Sequence, residues 1–570
     1  MESGMHSRLI VNKAEAISAG GMVTAMHSLA AEAGDGVLRA GGNAVDAAVT
    51  MAFVLGVVEP CMSGLGGGGC MVIDLPGEGT QTVIDHNMQA PVAASAKMYE
   101  VVNGSPPQGL YSWPAVRNDD NMIGYRAVAV PGSLAGLAYA LEHYGTIDLA
   151  QALAPAIKLA EEGFPIDWFL ASVIASDARE LRRHADSARI FLRDGFPLSV
   201  SLMDQAERLV QIDLARTLRM IARHGPNIFY RGEIAQRIEA AMVAYNGTMT
   251  ANDLAQYTPL VSQQNHLPTY RGYSIVGVIE GSGSTSTLQM LQMLEQFPLR
   301  ELGHNSALTL RILAAVFEAA LTDRFTYLAD PAMVDVPTGR LWAREHAIKQ
   351  ASVIRNRLLS DALAPPHVSS PEDVHLNSAR QDMAHTTHLS AVDHARNSVA
   401  LTQTLLSTFG AKVVVPETGI VLNNGMMWFD PRPGHPNSVA GGKRCLSAVS
   451  PLILCHKDQP YLLVGASGGR RIMTGVTQVI TNIIDFGLGV QDAVSAPRLH
   501  CEGHQVLLDA RIDLAVAAAL ARDGYEVSCL EETFTTSHFA LTSAIGIDSH
   551  AGTLHGGVEP LKPGVAVGSA

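Results

Sequence analysis

"HTTHLSAVD", residues 385–393, sets two threonine hydroxyls side by side, flanks them with imidazoles and continues into a strand-like run. The residues just before it, 360–384, contain three prolines and no sustained hydrophobic period, which predicts an exposed connection. A threonine hydroxyl is a weak nucleophile until a base takes its proton, and a threonine at a chain start carries that base on its own backbone. A free α-amine titrates at about 7.7–8.0, so a neutral fraction exists near neutral pH. Cutting the His385–Thr386 bond would create nucleophile and base together, and a loop leading into a rigid strand suits such a cut. Read without that chemistry, "TTH" simply opens a strand, where β-branched residues are common.

Around this stretch the chain changes character. Downstream, "THLSAVD", "SVALTQTLL", "VVVPETGIVL" and "YLLVGAS" are predicted strands, followed by the helix "RRIMTGVTQVITNIIDFG" and a "QVLLD", helix, "YEVSCL" unit. Upstream, residues 132–250 repeat apolar positions at threes and fours, predicting helices from "GSLAGLAYALEHYG" through "AERLVQIDLARTLRMIARHG" to "IAQRIEAAMVAYNG". A second helical stretch covers 286–330, after the strand "GYSIVGVIE". Nearer the start, "HSLAAEAGDGVLRAGG" and "NAVDAAVTMAFVLGVV", the latter with Asn43 as its cap, are helices preceding the strand "CMVIDL". The mixture predicts sheets layered with helices, an α/β or α+β fold.

Composition narrows the functional classes. A chain that is 47% hydrophobic and 16% charged is a packed globular protein. A net charge of -14 gives no electrostatic grip on nucleic acid or an anionic membrane. The longest apolar run, "AVDAAVTMAFVLGVVEP", carries Asp46 and stops at Glu59–Pro60; it is too short and too polar for a span, and predicts a buried helix. Cysteines 61, 70, 445, 455, 501 and 529 form no CxxC pair and predict reduced, mostly buried thiols. The first residues lack a secretory pattern, so a cytoplasmic location is expected.

Three other motifs invite chemistry. Gly64, Gly66 and Gly69 fit GxGxxG, but a helix precedes them and a strand follows, the reverse of a dinucleotide site. "YLLVGASGGRRIM" has the strand, turn and helix of a nucleophile elbow at Ser467, with Asp485 or Asp492 and His500 or His504 after it. The same glycines can instead aim backbone N–H groups at a developing oxyanion, and that is the preferred reading. His385, His388 and Asp393, or "HCEGH" at 500–504, are the candidate metal sets; the first alternates faces and the second lacks a helical flank, so no metal is expected.

"TTHLSAVD…NSVALTQTLLSTFG…TGIVLNN", "LSAVSP" and "GASGGRR", with "GGNAVDAA", "EPCMSGLGGGGCM" and "AVPGSLAGL" upstream, together resemble the γ-glutamyltransferase (glutathione hydrolase) family of N-terminal-nucleophile hydrolases, over residues 20 to 565 or so. The resemblance implies a four-layer αββα sandwich with an additional helical region in the large subunit. It implies a proenzyme that cuts itself at the processing site His385–Thr386, giving a large subunit 1–385 and a small subunit 386–570. These would form a heterodimer making one intertwined domain, with further dimerisation left open. Thr386 would be the nucleophile, Thr404 the threonine that hydrogen-bonds to it, and Gly468 and Gly469 the oxyanion-binding pair. The substrate would be a small-molecule amide whose acyl group passes from Thr386 to water or an amine, with no cofactor, nucleic acid or membrane involved.

The family's recognition of a γ-glutamyl head is not matched. Glutathione-cleaving members hold the α-carboxylate and α-amine with an Arg, an Asn, a Gln or Glu, an Asp and a serine pair. The corresponding positions here are Ala96, Leu406, Gly425, Trp428, and Ser447 with Ala448, of which only Ser447 agrees. A zwitterion without charged partners loses solvation for little return. Ser447, Trp428, Gly425 and Arg470 are therefore the candidate substrate contacts, with Arg471 and Arg444 as further carboxylate anchors. The motifs resemble a divergent branch that includes cephalosporin acylases and an oxamate amidohydrolase, which leaves the acyl donor open between γ-glutamyl and other small acyl groups.

Overall fold

The computed structural model describes residues 11–102, 113–200, 206–264, 267–360 and 384–569. All but the two ends of the predicted connection 360–384 lies outside the described residues. Two seven-stranded sheets, antiparallel throughout, form the middle of the molecule. One runs Val565–Gly568, Met22–Ala25, Ala384–Val392, Ser398–Ser407, Gly68–Leu75, Thr80–Asp85, Leu260–Gln263. The other runs Ala16–Ser18, Thr553–Val558, Leu541–Asp548, Gln459–Ser467, Leu452–His456, Tyr273–Val276, Thr269–Tyr270.

Alternation along the strands builds three layers of core. In Ala384–Val392, Leu389 and Ala391 join the apolar cluster shared with the helices Ser28–Arg39 and Ala44–Val58, whereas Val392 joins the cluster between the sheets. Ser398–Ser407 follows the same rule, with Val399, Leu401 and Leu405 facing the helices and Ala400 the opposite sheet. Beyond the second sheet, the helices Gly283–Leu294, Ala307–Tyr327 and Arg471–Ile484 cover its outer face. The result is the expected αββα arrangement, with a further group of helices between Ser133 and Ala244.

Local expectations hold at the long elements. Asn43 caps Ala44–Val58 by accepting from the Val45 and Asp46 amides, Asp46 returns the bond to Asn43, and nearly every residue of the helix is buried. Two expectations need correction. "VVVPETGIVL" makes only isolated bridges, Val414–Val421 within itself and Leu422–Gly66 outside it, because Glu417 and Gly419 adopt left-handed φ values of 59° and 70° and fold it into a tight turn. The helix within "AERLVQIDLARTLRMIARHG" begins only at Ile212, since Arg208–Leu209 pairs with Phe164–Pro165 as a short strand.

Candidate active site

Thr386 lies within Ala384–Val392, where the register against the next strand slips. His385 pairs with Leu406 and Thr387 with Gln403, so Thr404 and Leu405 together oppose Thr386 alone. This bulge aims the Thr404 side chain at Thr386. The Thr386 hydroxyl donates to Thr404 Oγ1 at 3.1 Å, and Thr404 donates onward to the carbonyl oxygen of His385 at 2.8 Å. Leu406 N–H donates to the same Thr404 oxygen at 2.8 Å, from a backbone held at φ +84°, a costly region for a bulky side chain. Both threonines are buried.

Neighbouring segments lock this group from each side. The run Gly66–Gly69 approaches so closely that a Cβ on Gly67 would stand 2.3 Å from the Thr404 carbonyl oxygen, which is what these glycines do in place of holding a dinucleotide. Asn424 accepts from the Ser407 amide at 3.1 Å and donates its own amide to Leu405. On the helix side, the Thr387 hydroxyl donates to Glu59 Oε2 at 3.0 Å. Glu59 is fully buried where the helix Ala44–Val58 ends, and loss of water pushes its carboxyl up to about 8. In the sequence this residue marked only the end of an apolar run, and nothing there pointed to Thr387.

Between the sheets, the His388 ring lies on Gly465, where a Cβ would come within 2.2 Å of it. Its two nitrogens bond Thr402 at 2.8 Å and Ser390 at 3.1 Å, and burial holds it neutral, with its pKa down at about 3. The Thr386 strand thus crosses Gln459–Ser467 close to that strand's end. Three residues beyond Gly465, Gly468 (φ +123°) and Gly469 (φ +60°) turn the chain into the helix Arg471–Ile484. Among the described residues no acceptor pairs with their N–H groups, which stand at the electropositive start of that helix. Burial depresses the His385 pKa to about 3, helped by the positive charges of Lys412, Arg471 and Lys562.

The family model described as gamma-glutamyltranspeptidase matches residues 30–569. The chain belongs to the gamma-glutamyltranspeptidase family. It is 37% identical over 508 residues to "Acylase ACY 1 proenzyme" of Pseudomonas sp. (strain SE83), covering 89% of this chain and 87% of that one. It is 36% identical over 502 residues to the glutathione hydrolase proenzyme of Escherichia coli (strain K12), covering 86% and 82%. A crystal structure of cephalosporin acylase from Bacillus halodurans superposes with a TM-score of 0.84 at 27% identity, covering 100% of this chain and 99% of that one.

In this gamma-glutamyltranspeptidase-family hydrolase the Asp485 and His500 partners considered for Ser467 are engaged elsewhere. Asp485 is bound by Tyr270 and Arg271, while His500 bonds Thr474 at 3.0 Å and stands 3.6 Å from Glu502, so neither is free to serve Ser467. Asp393 accepts from the Ala44, Ala395 and Asn397 amides, and among the described residues no group of three or more metal-ligating side chains forms.

The transpeptidase-type substrate positions are apolar or committed. Gly425 and Trp428 lie on one buried 3₁₀ turn, packed with Met88, Tyr99, Leu406 and Met426. Ser447 is fully buried and its hydroxyl accepts from the Val449 amide at 3.2 Å. Arg470 pairs with Glu502 at 2.7 Å and stands over the Phe325 ring. Arg444 donates to the Thr258 carbonyl at 2.7 Å and stacks on Tyr257.

Proposed function

We propose that this chain is a self-processing amide hydrolase or acyltransferase whose nucleophile is Thr386. The observation that carries the reading is the relay from the Thr386 hydroxyl through Thr404 to the His385 carbonyl. In processing, Thr386 Oγ attacks the His385 carbonyl carbon, the C–N bond breaks, and the hydroxyl proton ends on the released Thr386 amine. An ester then joins His385 to Thr386 Oγ until water hydrolyses it to a carboxylate and a free hydroxyl. In turnover, the new amine takes the Thr386 proton, Oγ attacks the substrate's amide carbonyl, and the proton passes to the leaving amine. Water or an acceptor amine releases the acyl group. The Gly468 and Gly469 N–H groups, without an acceptor among the described residues, support a role in holding the negative oxygen of each tetrahedral intermediate.

The apolar character of Leu406, Gly425, Met426, Met427 and Trp428 favours a donor without a γ-glutamyl head. The two pieces, held by strand pairing across the sheet, would remain one body as large and small subunits. Intact-mass measurement and a fluorophosphonate label test the reading together. Two fragments, with no label on Ser467, support it. An uncut, amide-cleaving chain labelled at Ser467 would overturn it.

A further inference from the structure

Resting on the Thr386 reading, with Gly468 and Gly469 as its oxyanion pair, we infer that Glu502 is a positioning residue: through Arg470 it holds the glycine turn at the aim the reaction needs. Glycine makes a turn sharp but not stiff, because its φ is the least restricted of any residue. The direction of these two N–H groups is therefore set by what the turn is tied to. Arg471 N–H donates to the Gly468 carbonyl at 3.3 Å and Ile472 N–H to the Gly469 carbonyl at 3.0 Å. Both glycines thus move with the first turn of the helix Arg471–Ile484.

That first turn carries an electrostatic contradiction. Arg470 is the N-cap residue, makes no side-chain cap bond, and puts a cation where the helix dipole favours an anion. The anion comes from another element. Glu502, the last residue of the strand Leu499–Glu502, stands 2.7 Å from Arg470 Nε, and the guanidinium lies over the Phe325 ring, 5.6 Å from its centre. Burial pushes the Glu502 carboxyl up, but Arg470 and His500 outweigh burial and leave it below its ordinary value, so the pair is ionic.

The same strand grips the helix a second time. His500, two residues before Glu502 and 3.6 Å from its carboxylate, bonds Thr474 at 3.0 Å, and Thr474 donates to the Arg471 carbonyl at 3.1 Å. Of the "HCEGH" stretch, His500 and Glu502 therefore serve the helix start, fixing the residue after the glycines and the first helical residue together. Without the carboxylate, the Arg470 charge would be largely covered and uncompensated, so the side chain would turn toward water and release the turn.

The test follows self-cleavage of fresh precursor by intact mass, and kcat and KM of the matured enzyme on glutaryl and γ-glutamyl p-nitroanilides. The variants are Glu502→Gln, Arg470→Gln, the two combined, and Arg470→Lys. Each single Gln variant should lose about ten- to a hundredfold in self-cleavage and in kcat, as expected for a small misplacement of oxyanion donors. KM should stay within about twofold, because the ground state makes little use of the turn. The combined variant should fall no more than about threefold below the worse single one, because the two residues act as a unit. Arg470→Lys keeps the charge and should recover most of the rate. Rates are read well below the midpoint of each variant's denaturant melt, where a pair that only stabilises the fold would leave them unchanged. Self-cleavage needs no added substrate, so it decides the matter whatever acyl group the enzyme takes. Wild-type rates in both single variants, a change in KM alone, or a combined loss equal to the product of the single losses would overturn the inference and leave the Thr386 mechanism standing. A wild-type chain that never cuts itself would overturn both.

Discussion

Thr404 donates its hydroxyl hydrogen to the carbonyl oxygen of His385 across 2.8 Å, and receives the hydrogen of Thr386 in return at 3.1 Å. One side chain therefore polarises the carbonyl that must be attacked and holds the attacking oxygen beside it.

Thr404→Val keeps the shape of this side chain and removes both bonds. Self-cleavage should slow by about a hundredfold, the usual loss for one donor at a developing oxyanion. Thr404→Ser should stay within about tenfold of wild type, because the hydroxyl survives. A time course of intact mass from freshly made precursor measures both.

Gly468 sits at φ +123°, and a Cβ there would approach Ala540 Cα to 3.1 Å. Gly468→Ala should cost about 1–3 kcal/mol of stability, read from denaturant melts. It should also lower kcat by about a hundredfold or more, because the turn re-aims the N–H groups. A variant with normal kcat would show that these amides do not serve the reaction.

Glu59 binds its proton with a pKa of about 8 in the fold against 4.5 outside it. Between those values the folded state holds more protons than the unfolded one, so stability falls as pH rises through that window and levels off above it. Glu59→Gln can still accept from Thr387 but carries no charge. Relative to wild type it should gain roughly 3 kcal/mol between pH 5 and pH 8, measured by chemical denaturation at each pH. A constant difference across that range would mean that Glu59 is not held protonated.

The layers and the hydroxyl pair were legible in the sequence because each rests on a local signal. Strand alternation from Thr387 to Val392 and the helical period of Arg471–Ile484 need no distant partner to be read. Glu59 reaches Thr387 from 328 residues away, and the bulge that opposes Thr404 and Leu405 to Thr386 is a one-residue register slip between two neighbouring strands; no local pattern encodes either. The arginines illustrate the same limit. Arg444, Arg470 and Arg471 are alike as letters, and only the fold separates their partners: Thr258 and Tyr257 for the first, Glu502 for the second, the Ser537 and His538 carbonyls for the third. "VVVPETGIVL" failed for the opposite reason: its apolar letters are those of a strand, and its backbone turns within them.

The most direct test of the account is terminal sequencing of a fully active preparation alongside Thr386→Ala. The wild type should yield fragments of 385 and 185 residues, the second beginning at Thr386, while Thr386→Ala stays a single inactive chain. Full amide-cleaving activity from an unbroken chain of 570 residues, with no amino terminus at Thr386, would contradict it.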